Sequence, residues 1–248
     1  MTTRVSTDAF PRSHSMEAFR ELFGKAILNI DIDPRAGHEL DITMMLRALP
    51  DLGIDIGNAS PTLCRHRSGE AENDDLVFSI VQNAGATLRQ KGREATYGDG
   101  EAILTAHGDP ATCTIHKPAR LLHFRFRRER LAARLHGGAD AVCRPVPRDH
   151  PALRLLVHYT SALDDQQVLA SPDLRTAVVD HFYDLAAVAL GATRDAAESA
   201  RGAVSAPRDP TTPSTRPPVS RLHRQEHKVS AATTLAWIQG GERTSRAA

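Results

Sequence analysis

Apolar and polar residues alternate along much of the chain between residues 26 and 126. In the first such segment Ala26, Leu28, Ile30 and Ile32 fall on one face, which is the pattern of a half-buried strand. Seven further segments predict strands: Leu40–Leu46, Ile54–Ala59, Leu76–Gln82, Ala95–Tyr97, Ala102–Ala106, Thr112–His116 and Leu121–Phe126. Gly, Pro, Asp and Ser residues separate them. Many short strands at this spacing predict a barrel or sandwich rather than a parallel sheet.

On both sides of this region the apolar period becomes that of an α-helix. Ser15–Gly24 is predicted to form a short helix, because Ser15 can cap it and Gly24 can stop it. A second short helix is predicted over Arg128–Leu135. Pro151 occupies a first helical position and begins a third, amphipathic helix.

The helix that follows Ser171 has the strongest sequence signals. Ser171 can cap it, Pro172 fixes φ, and Asp173 places an acid in the first turn, while Gly191 is expected to end it. Its apolar stripe consists of Leu174, Val178, Phe182, Leu185 and Ala189. The stripe packs either on its own barrel or, since the spacing resembles a heptad, against a second subunit. We expect the second arrangement, a homodimer interface.

Beyond Gly202 the helical period stops. Five prolines punctuate a run of Ser, Thr, Ala and Arg: Pro207, Pro210, Pro213, Pro217 and Pro218. Such a segment cannot bury enough surface to offset its ordering entropy, so residues 201–248 are predicted to be disordered. This tail has seven Arg and one Lys against one Asp and two Glu, a formal charge of +5, which leaves −4 for the first 200 residues.

Composition excludes several classes of protein. The overall formal charge is +1, so no global field draws the chain to nucleic acid or to a membrane. No run of 18 apolar residues is present, and the N-terminus lacks the pattern of a secretion signal. Three widely spaced cysteines, Cys64, Cys113 and Cys143, favour reduced thiols in the cytoplasm.

Several stretches together resemble the N-terminal domain of AraC-type transcriptional regulators. They are Asp75–Gly85, Gln90–Glu94, Tyr97–Leu104, His150–Val157 and His181–Glu198. The likeness spans about Phe19 to Gly202 and implies a cupin-like barrel followed by helices, in a domain that senses a small molecule or partner and dimerises.

The expected fold class is therefore α+β. We expect a flexible N-terminus at residues 1–14, a cupin-like barrel over 15–136, a helical dimerisation segment over 149–200, and the disordered tail. Members of the family continue into a DNA-binding half with two helix-turn-helix units. Here the Pro- and Arg-rich tail stands in that place, and the abrupt change resembles a shift of reading frame. We therefore expect a truncated regulator in which no residues of this chain bind DNA.

The sequence gives only weak signals for a metal-binding or catalytic site. His107, His116 and His123 lie on or beside predicted barrel strands, and a metal-dependent cupin-type enzyme is the alternative function. Metal cupins, however, carry a His-x-His pair, and this barrel has none, so we expect neither a metal nor another cofactor. His223–His227 matches the H-x-x-E-H pattern of zinc peptidases but lies in the predicted tail.

The predicted barrel segment ends in a run of arginines that includes two aromatic residues. Its residues are Phe124, Arg125, Phe126, Arg127, Arg128 and Arg130. Alternation with a period of two predicts a last strand with the aromatics inward and the arginines in water. We find no arrangement that argues for a catalytic nucleophile, and the sequence leaves the effector and its binding residues unassigned.

Overall fold

The computed structural model describes residues 2–9, 17, 19–21, 30–66, 74–135, 141–163 and 171–203. Of residues 192–203 it describes the backbone. Most of the predicted helix Ser15–Gly24 lies outside the described residues, as do residues 26–29 of the first predicted strand. The predicted disordered tail beyond residue 203 and its H-x-x-E-H motif lie outside them too.

Twelve strands and three α-helices form within the described residues. The strands are β1 (Thr2–Ser6), β2 (Ile30–Pro34), β3 (Ile42–Leu49), β4 (Leu52–Ala59), β5 (Thr62–His66), β6 (Leu76–Gln82), β7 (Ala86–Gln90), β8 (Arg93–Tyr97), β9 (Ala102–Ala106), β10 (Ala111–Ile115), β11 (Ala119–Phe126) and β12 (Pro145–Val146). The helices are α1 (Arg128–Ala132), α2 (Pro151–Ala162) and α3 (Pro172–Ala203).

The strands form two antiparallel sheets, which confirms the predicted α+β class with an antiparallel barrel-like unit. A large sheet has the order β1-β3-β4-β11-β6-β9-β12, and a small sheet has the order β2-β5-β10-β7-β8. Apolar side chains such as Ile32 and Leu88 of the small sheet and Ile103 of the large sheet are buried in the core. The strands Leu76–Gln82 and Ala102–Ala106 have the predicted bounds.

Strand β11 lies at the centre of the large sheet and sets its register. Phe124 of β11 is opposite Ile54 of β4 on one side and Phe78 of β6 on the other. The neighbouring β3–β4 pair is so close that a Cβ atom at Gly57 would lie 1.9 Å from the carbonyl oxygen of Thr43. Only glycine fits at this position without a shift of the backbone.

The helices cover the outer face of the large sheet. Phe182 and Tyr183 of α3 are fully buried. Their rings lie 5.3 Å from that of Phe124 and 4.8 Å from that of Phe126, respectively. Helix α2 packs beside α3, where the ring of Tyr159 lies 5.3 Å from that of Phe182.

Three sequence-based expectations are wrong. Residues 2–6 are not frayed but form β1, because Thr3 and Val5 bury their side chains when the strand pairs with β3. Four strands were missed: β1, β5, β7 and β12. Helix α3 does not end at Gly191 but continues to Ala203, because Gly191 does not adopt the positive φ of a glycine that caps a helix.

In the described part of the chain, no helix is both long and apolar enough to cross a membrane.

Candidate functional site

Strand β11 presents two different faces. Phe124 and Phe126 point to the helices, where they contact Phe182 and Tyr183. His123 points the other way, between the sheets, and its Nδ1 atom lies 2.8 Å from the Oγ atom of Ser79. Because side chains alternate along a strand, Arg125 shares the face of His123. The expectation that the aromatics of this strand face the barrel interior and that Arg125 lies in water is therefore wrong.

Five polar side chains gather between the two sheets, and we call them the interior cluster. Its members are Asp55, His66, His107, His123 and Arg125. Asp55 lies opposite His123 in the β4–β11 register. His66 ends β5 in the small sheet, and its ring centre lies 4.5 Å from that of His107, which follows β9. The cluster thus joins four strands from both sheets.

Burial beside a fixed positive charge keeps the three histidines neutral. Desolvation, followed by the nearby Arg125 guanidinium, lowers the pKa of His66 to about 4 and that of His123 to about 4. The same causes, with the two other histidines, hold the pKa of His107 far below its usual value. At neutral pH each ring therefore offers one N–H donor and one acceptor.

Asp55 is shifted in the opposite direction. Burial raises the pKa of its carboxyl group to about 6, although the positive charge of Arg125 acts against this rise. Asp55 makes no hydrogen bond or ion pair with any described residue. At pH 7 the interior cluster therefore has one fixed positive charge and one carboxylate that protonates readily.

Arg125 has no hydrogen bond or ion pair with any other residue in the described part of the chain. Its side chain is nevertheless partly accessible to solvent. Gly53 lies beside it on β4, where a Cβ atom would come within 3.2 Å of Arg125 Cβ. The glycine leaves room for the long side chain to extend along the interior face.

Two thiols and a phenol line the small-sheet wall of the interior. Cys64 of β5 lies directly opposite Cys113 of β10. The hydroxyl group of Tyr97 is 3.8 Å from Cys113 Sγ. Burial raises the pKa of Cys113 to about 11 and that of Cys64 further, so both are neutral thiols. This wall is weakly polar and carries no charge.

A surface depression with a volume of about 970 Å³ lies along one end of the small sheet, mostly on its outer face. His66 lines it together with Gln90 of β7 and the β7–β8 turn around Lys91. Four cationic and three acidic side chains lie around it: Arg65, Arg89, Lys91, Arg93, Asp31, Glu94 and Asp109. Of the interior cluster, His66 alone also lines this depression.

The histidines proposed for a metal enzyme do not come together. His107 and His123 belong to the interior cluster, but His116 lies at the opposite end of β10. There its Nε2 atom is 2.9 Å from the hydroxyl of Thr87, and its Nδ1 atom is 3.2 Å from Arg35. Among the described residues, no group of three or more His, Cys, Asp or Glu side chains is placed to hold a metal ion.

The predicted interface stripe on α3 divides into two parts. Val178, Phe182 and Ala189 are buried in the core of their own chain. Leu174 is 51% exposed. Leu185 is half-buried and lines a groove of about 460 Å³ between α2 and α3. As the structure places them, the three buried residues cannot also contact a second subunit.

Sequence reasoning missed Asp55, His66, Ser79 and Arg125 as site residues. One signal could have found Arg125. A sheet followed by amphipathic helices needs an apolar face toward those helices. The helices take Phe124 and Phe126, which leaves His123 and Arg125 for the interior.

Comparison with known proteins agrees with this geometry. The model of the AraC-binding-like domain family matches residues 19–191. No curated protein matches the chain. The solved AraC-like transcriptional activator CuxR is similar in fold, with a TM-score of 0.63 and 14% identity over 77% of this chain and 70% of that one.

Two further solved structures resemble only part of the chain. The EutQ protein of Clostridium difficile has a TM-score of 0.30 and 14% identity, covering 36% of this chain and 70% of that one. The Cnp3 cupin domain of Schizosaccharomyces pombe has a TM-score of 0.30 and 5% identity, covering 36% of this chain and 66% of its own. The family model spans well over half of the sequence, and this chain belongs to the family of AraC-binding-like domains.

Proposed function

We propose that this chain is the effector-sensing and dimerisation part of an AraC-type transcriptional regulator. In this proposal a small molecule binds between the two sheets, and the helices that cover the large sheet report its presence to a second subunit. The domain acts in the cytoplasm and catalyses no reaction. Membership of the AraC-binding-like family supports the regulatory role.

The observation that carries the proposal is the interior cluster. Arg125 and Asp55 lie inside the barrel without a hydrogen bond or ion pair to any described residue. A purely structural core would hold apolar side chains at these positions, because burying a charge without a partner is costly. Groups kept in this state are suited to a ligand that supplies the missing partners.

The dimerisation part of the proposal rests on the outer face of α2 and α3. Leu155 and Val188 are each 60% exposed, and Leu174 is 51% exposed. Leu174, Leu185 and Val188 lie on one side of α3, next to the groove that Leu155 and Tyr159 line. Such an exposed apolar face is typical of an interface between subunits.

The proposal does not include specific DNA binding by this chain. The family match ends at residue 191, and residues 201–248 have the composition of a Pro- and Arg-rich tail. A gel-shift experiment on the chain's own promoter at physiological salt tests this point. Retardation that survives competitor DNA would contradict it, whereas a weak shift that salt abolishes reflects only the charge of the tail.

A library of small metabolites, screened by thermal shift, tests the sensing role. A compound at about one hundred times its Kd stabilises a protein by about 2.7 kcal/mol, which raises the Tm of a domain of this size by about 5–10 °C. The stabilising compounds are expected to lose their effect in Ser79→Leu, which narrows the interior, and to keep it in Thr96→Leu on the outer surface of β8.

The same compounds are expected to change the dimer dissociation constant in sedimentation experiments. A library without any stabilising compound contradicts the sensing role. So does a set of compounds that stabilises Ser79→Leu as well as the wild type, because binding would then lie outside the interior.

A further inference from the structure

Arg125 of β11 differs in its ion pairs from the arginines that follow this strand. Arg127 lies 3.6 Å from the Asp75 carboxylate, and Arg128 lies 2.5 Å from that of Asp74. Arg130 pairs with Asp180 at 2.8 Å. Arg125, which faces the interior, makes no such contact with any described residue. Inside the barrel, Asp55 interacts electrostatically with Arg125 but forms no ion pair with it.

We infer that the effector of this domain carries a carboxylate group, that Arg125 binds this group inside the barrel, and that His66 and His107 donate hydrogen bonds beside it. The inference rests on the proposed sensing function and names the chemical class of the ligand. The planar guanidinium presents a pair of parallel N–H donors that match the two oxygens of a carboxylate.

The charge balance favours a carboxylate over a phosphate ester. Arg125 supplies one fixed positive charge, the neighbouring histidine rings are neutral, and Asp55 can add a negative charge. A bound carboxylate neutralises Arg125 one to one, and Asp55 can take up a proton. A phosphate monoester would bring nearly two negative charges into a low-dielectric space with a single cation, and this excess charge would be costly.

The rest of the interior indicates the body of the ligand. The walls near the cluster include the neutral thiols of Cys64 and Cys113 and the apolar side chains of Met44, Leu88 and Leu121. An aliphatic or aromatic body fits such walls, because it needs no hydrogen-bond partners there. The ligand class is therefore a small monocarboxylate with an apolar body.

Matched probes test the inference by calorimetry on the full chain at pH 7.5. Butyrate, hexanoate and benzoate are compared with butyramide, hexanamide and benzamide, and with butyl, hexyl and phenyl phosphate. We expect at least one carboxylate to bind, with its amide and phosphate at least about 10-fold weaker. Arg125→Met is expected to weaken carboxylate binding by at least about 30-fold, and Arg125→Lys less, because lysine keeps the charge but not the paired donors.

Arg127→Met is the matched control, since it removes the outward-facing arginine that immediately follows β11, two residues further along the chain. Its carboxylate binding is expected to stay within about twofold of the wild type. Arg125→Met is also expected to fold and to melt at a higher temperature than the ligand-free wild type, because it removes a charge that has no partner among the described residues.

The outcomes separate the ligand class from the sensing role. Absence of binding by every carboxylate overturns the inference, as does binding that Arg125→Met leaves intact. If instead amides or phosphates bind best and Ser79→Leu abolishes their binding, the sensing role stands and the carboxylate assignment falls. If neither these probes nor the metabolite library yields a compound that binds the interior, both fall.

Discussion

The hydroxyl group of Tyr183 on α3 accepts the backbone N–H of Arg127 at 2.9 Å and donates to the carbonyl oxygen of Asp51 at 2.6 Å. Arg127 immediately follows β11, and Asp51 lies in the turn between β3 and β4. Arg130 stacks over the same ring, with its guanidinium carbon 4.6 Å from the ring centre. Tyr183 thus links the helix that carries the exposed apolar face to the strand that carries Arg125.

Replacement of Tyr183 by Phe tests whether this link transmits the effector signal. The variant loses two hydrogen bonds of a buried hydroxyl, so we expect a loss of about 1–3 kcal/mol in the free energy of unfolding, measured by urea denaturation. Effector binding should persist, because Tyr183 lies outside the interior. The ligand-dependent change in dimer dissociation should shrink or vanish.

Thr176→Val is the control for the Tyr183 variant, since among the described residues the exposed Thr176 hydroxyl bonds only to the carbonyl oxygen of Pro172 in the same helix, at 3.1 Å. It should keep both stability and ligand-dependent dimerisation. A Tyr183→Phe protein that still changes its dimer dissociation constant as the wild type does would show that the signal takes another route.

The exposed apolar face of α2 and α3 and the buried part of the α3 stripe predict opposite outcomes for charged substitutions. Leu155→Glu and Val188→Glu each place a carboxylate at a side chain that is 60% exposed, so each protein should stay folded while the dimer dissociates. Phe182→Glu buries a charge in a fully enclosed site and should unfold the chain. Light scattering and circular dichroism distinguish the two results.

Lys117→Glu, at an exposed residue between β10 and β11, serves as a surface control on the barrel and should change neither property. If Leu155→Glu and Val188→Glu leave the dimer intact, or if the wild type is monomeric at tens of micromolar, the face between α2 and α3 is not the interface.

Most of the large sheet was predictable, whereas much of the small sheet was not. Strand β6 has six buried residues in succession, and its apolar run marks it clearly. Strands β5 and β7 end in His66 and Gln90, polar residues that face the interior. An argument from periodicity assigns polar residues to the solvent side. Because β5 and β7 point polar residues toward the interior, their sequences did not show the expected strand pattern.

The sequence did not predict the candidate site for a related reason. On β11, Leu121, His123 and Arg125 form one face, while Leu122, Phe124 and Phe126 form the other. The second face is the more apolar, and the sequence alone does not say that helices rather than the second sheet cover it. The stripe on α3 is a parallel case: its apolar residues spread over neighbouring sides of the helix, and only tertiary packing separates the buried side from the exposed one.

Gln90 holds the two sheets together near the surface depression. Its side-chain amide donates to the carbonyl oxygens of Ala106 at 2.7 Å and Asp109 at 3.1 Å, and its Oε1 atom accepts the N–H of Ala106 at 2.9 Å. Gln90→Leu leaves these buried groups without partners, so we expect a loss of about 2–4 kcal/mol in the free energy of unfolding. Urea denaturation measures it.

Gln90→Glu provides a second test at the same position. It keeps the shape and one acceptor but loses the donors to the two carbonyl oxygens, so it should also destabilise the fold at neutral pH and recover as the carboxyl group protonates. Thr114→Val on β10, at a half-buried side chain for which no hydrogen bond is found, is the control and should stay close to wild type. Equal stability of Gln90→Leu and wild type would show that the amide is not a structural bridge.

The interior cluster predicts that the protein loses stability on mild acidification. The pKa values of His66 and His123 are about 4 in the folded chain, against 6.5 when exposed. At pH values between these two pKa values, the unfolded chain binds protons that the folded chain does not bind. The histidine contribution to stability is therefore lost as pH falls from about 6.5 to about 4. His107 acts in the same direction.

Asp55 acts in the opposite sense, and this difference makes the prediction specific. Its pKa is about 6 folded and 3.8 exposed, so the folded chain binds the extra proton and gains stability as pH falls through 6. The thiols of Cys64 and Cys113, which share the interior, stay neutral in this range because burial raises their pKa values. The three histidines together change the stability more than the single carboxyl group does, so the net effect of acidification is a loss of stability.

Thermal melts at pH 7.5 and pH 5.0 measure this balance. The wild type should melt at a lower temperature at pH 5.0. His66→Asn should reduce the difference between the two melting temperatures, because the substituted side chain cannot be protonated in the unfolded chain. Asp55→Asn should enlarge it, because the one opposing proton uptake disappears. If both variants change the difference in the same direction, or neither changes it, the charges of the interior cluster are not arranged as the structure places them.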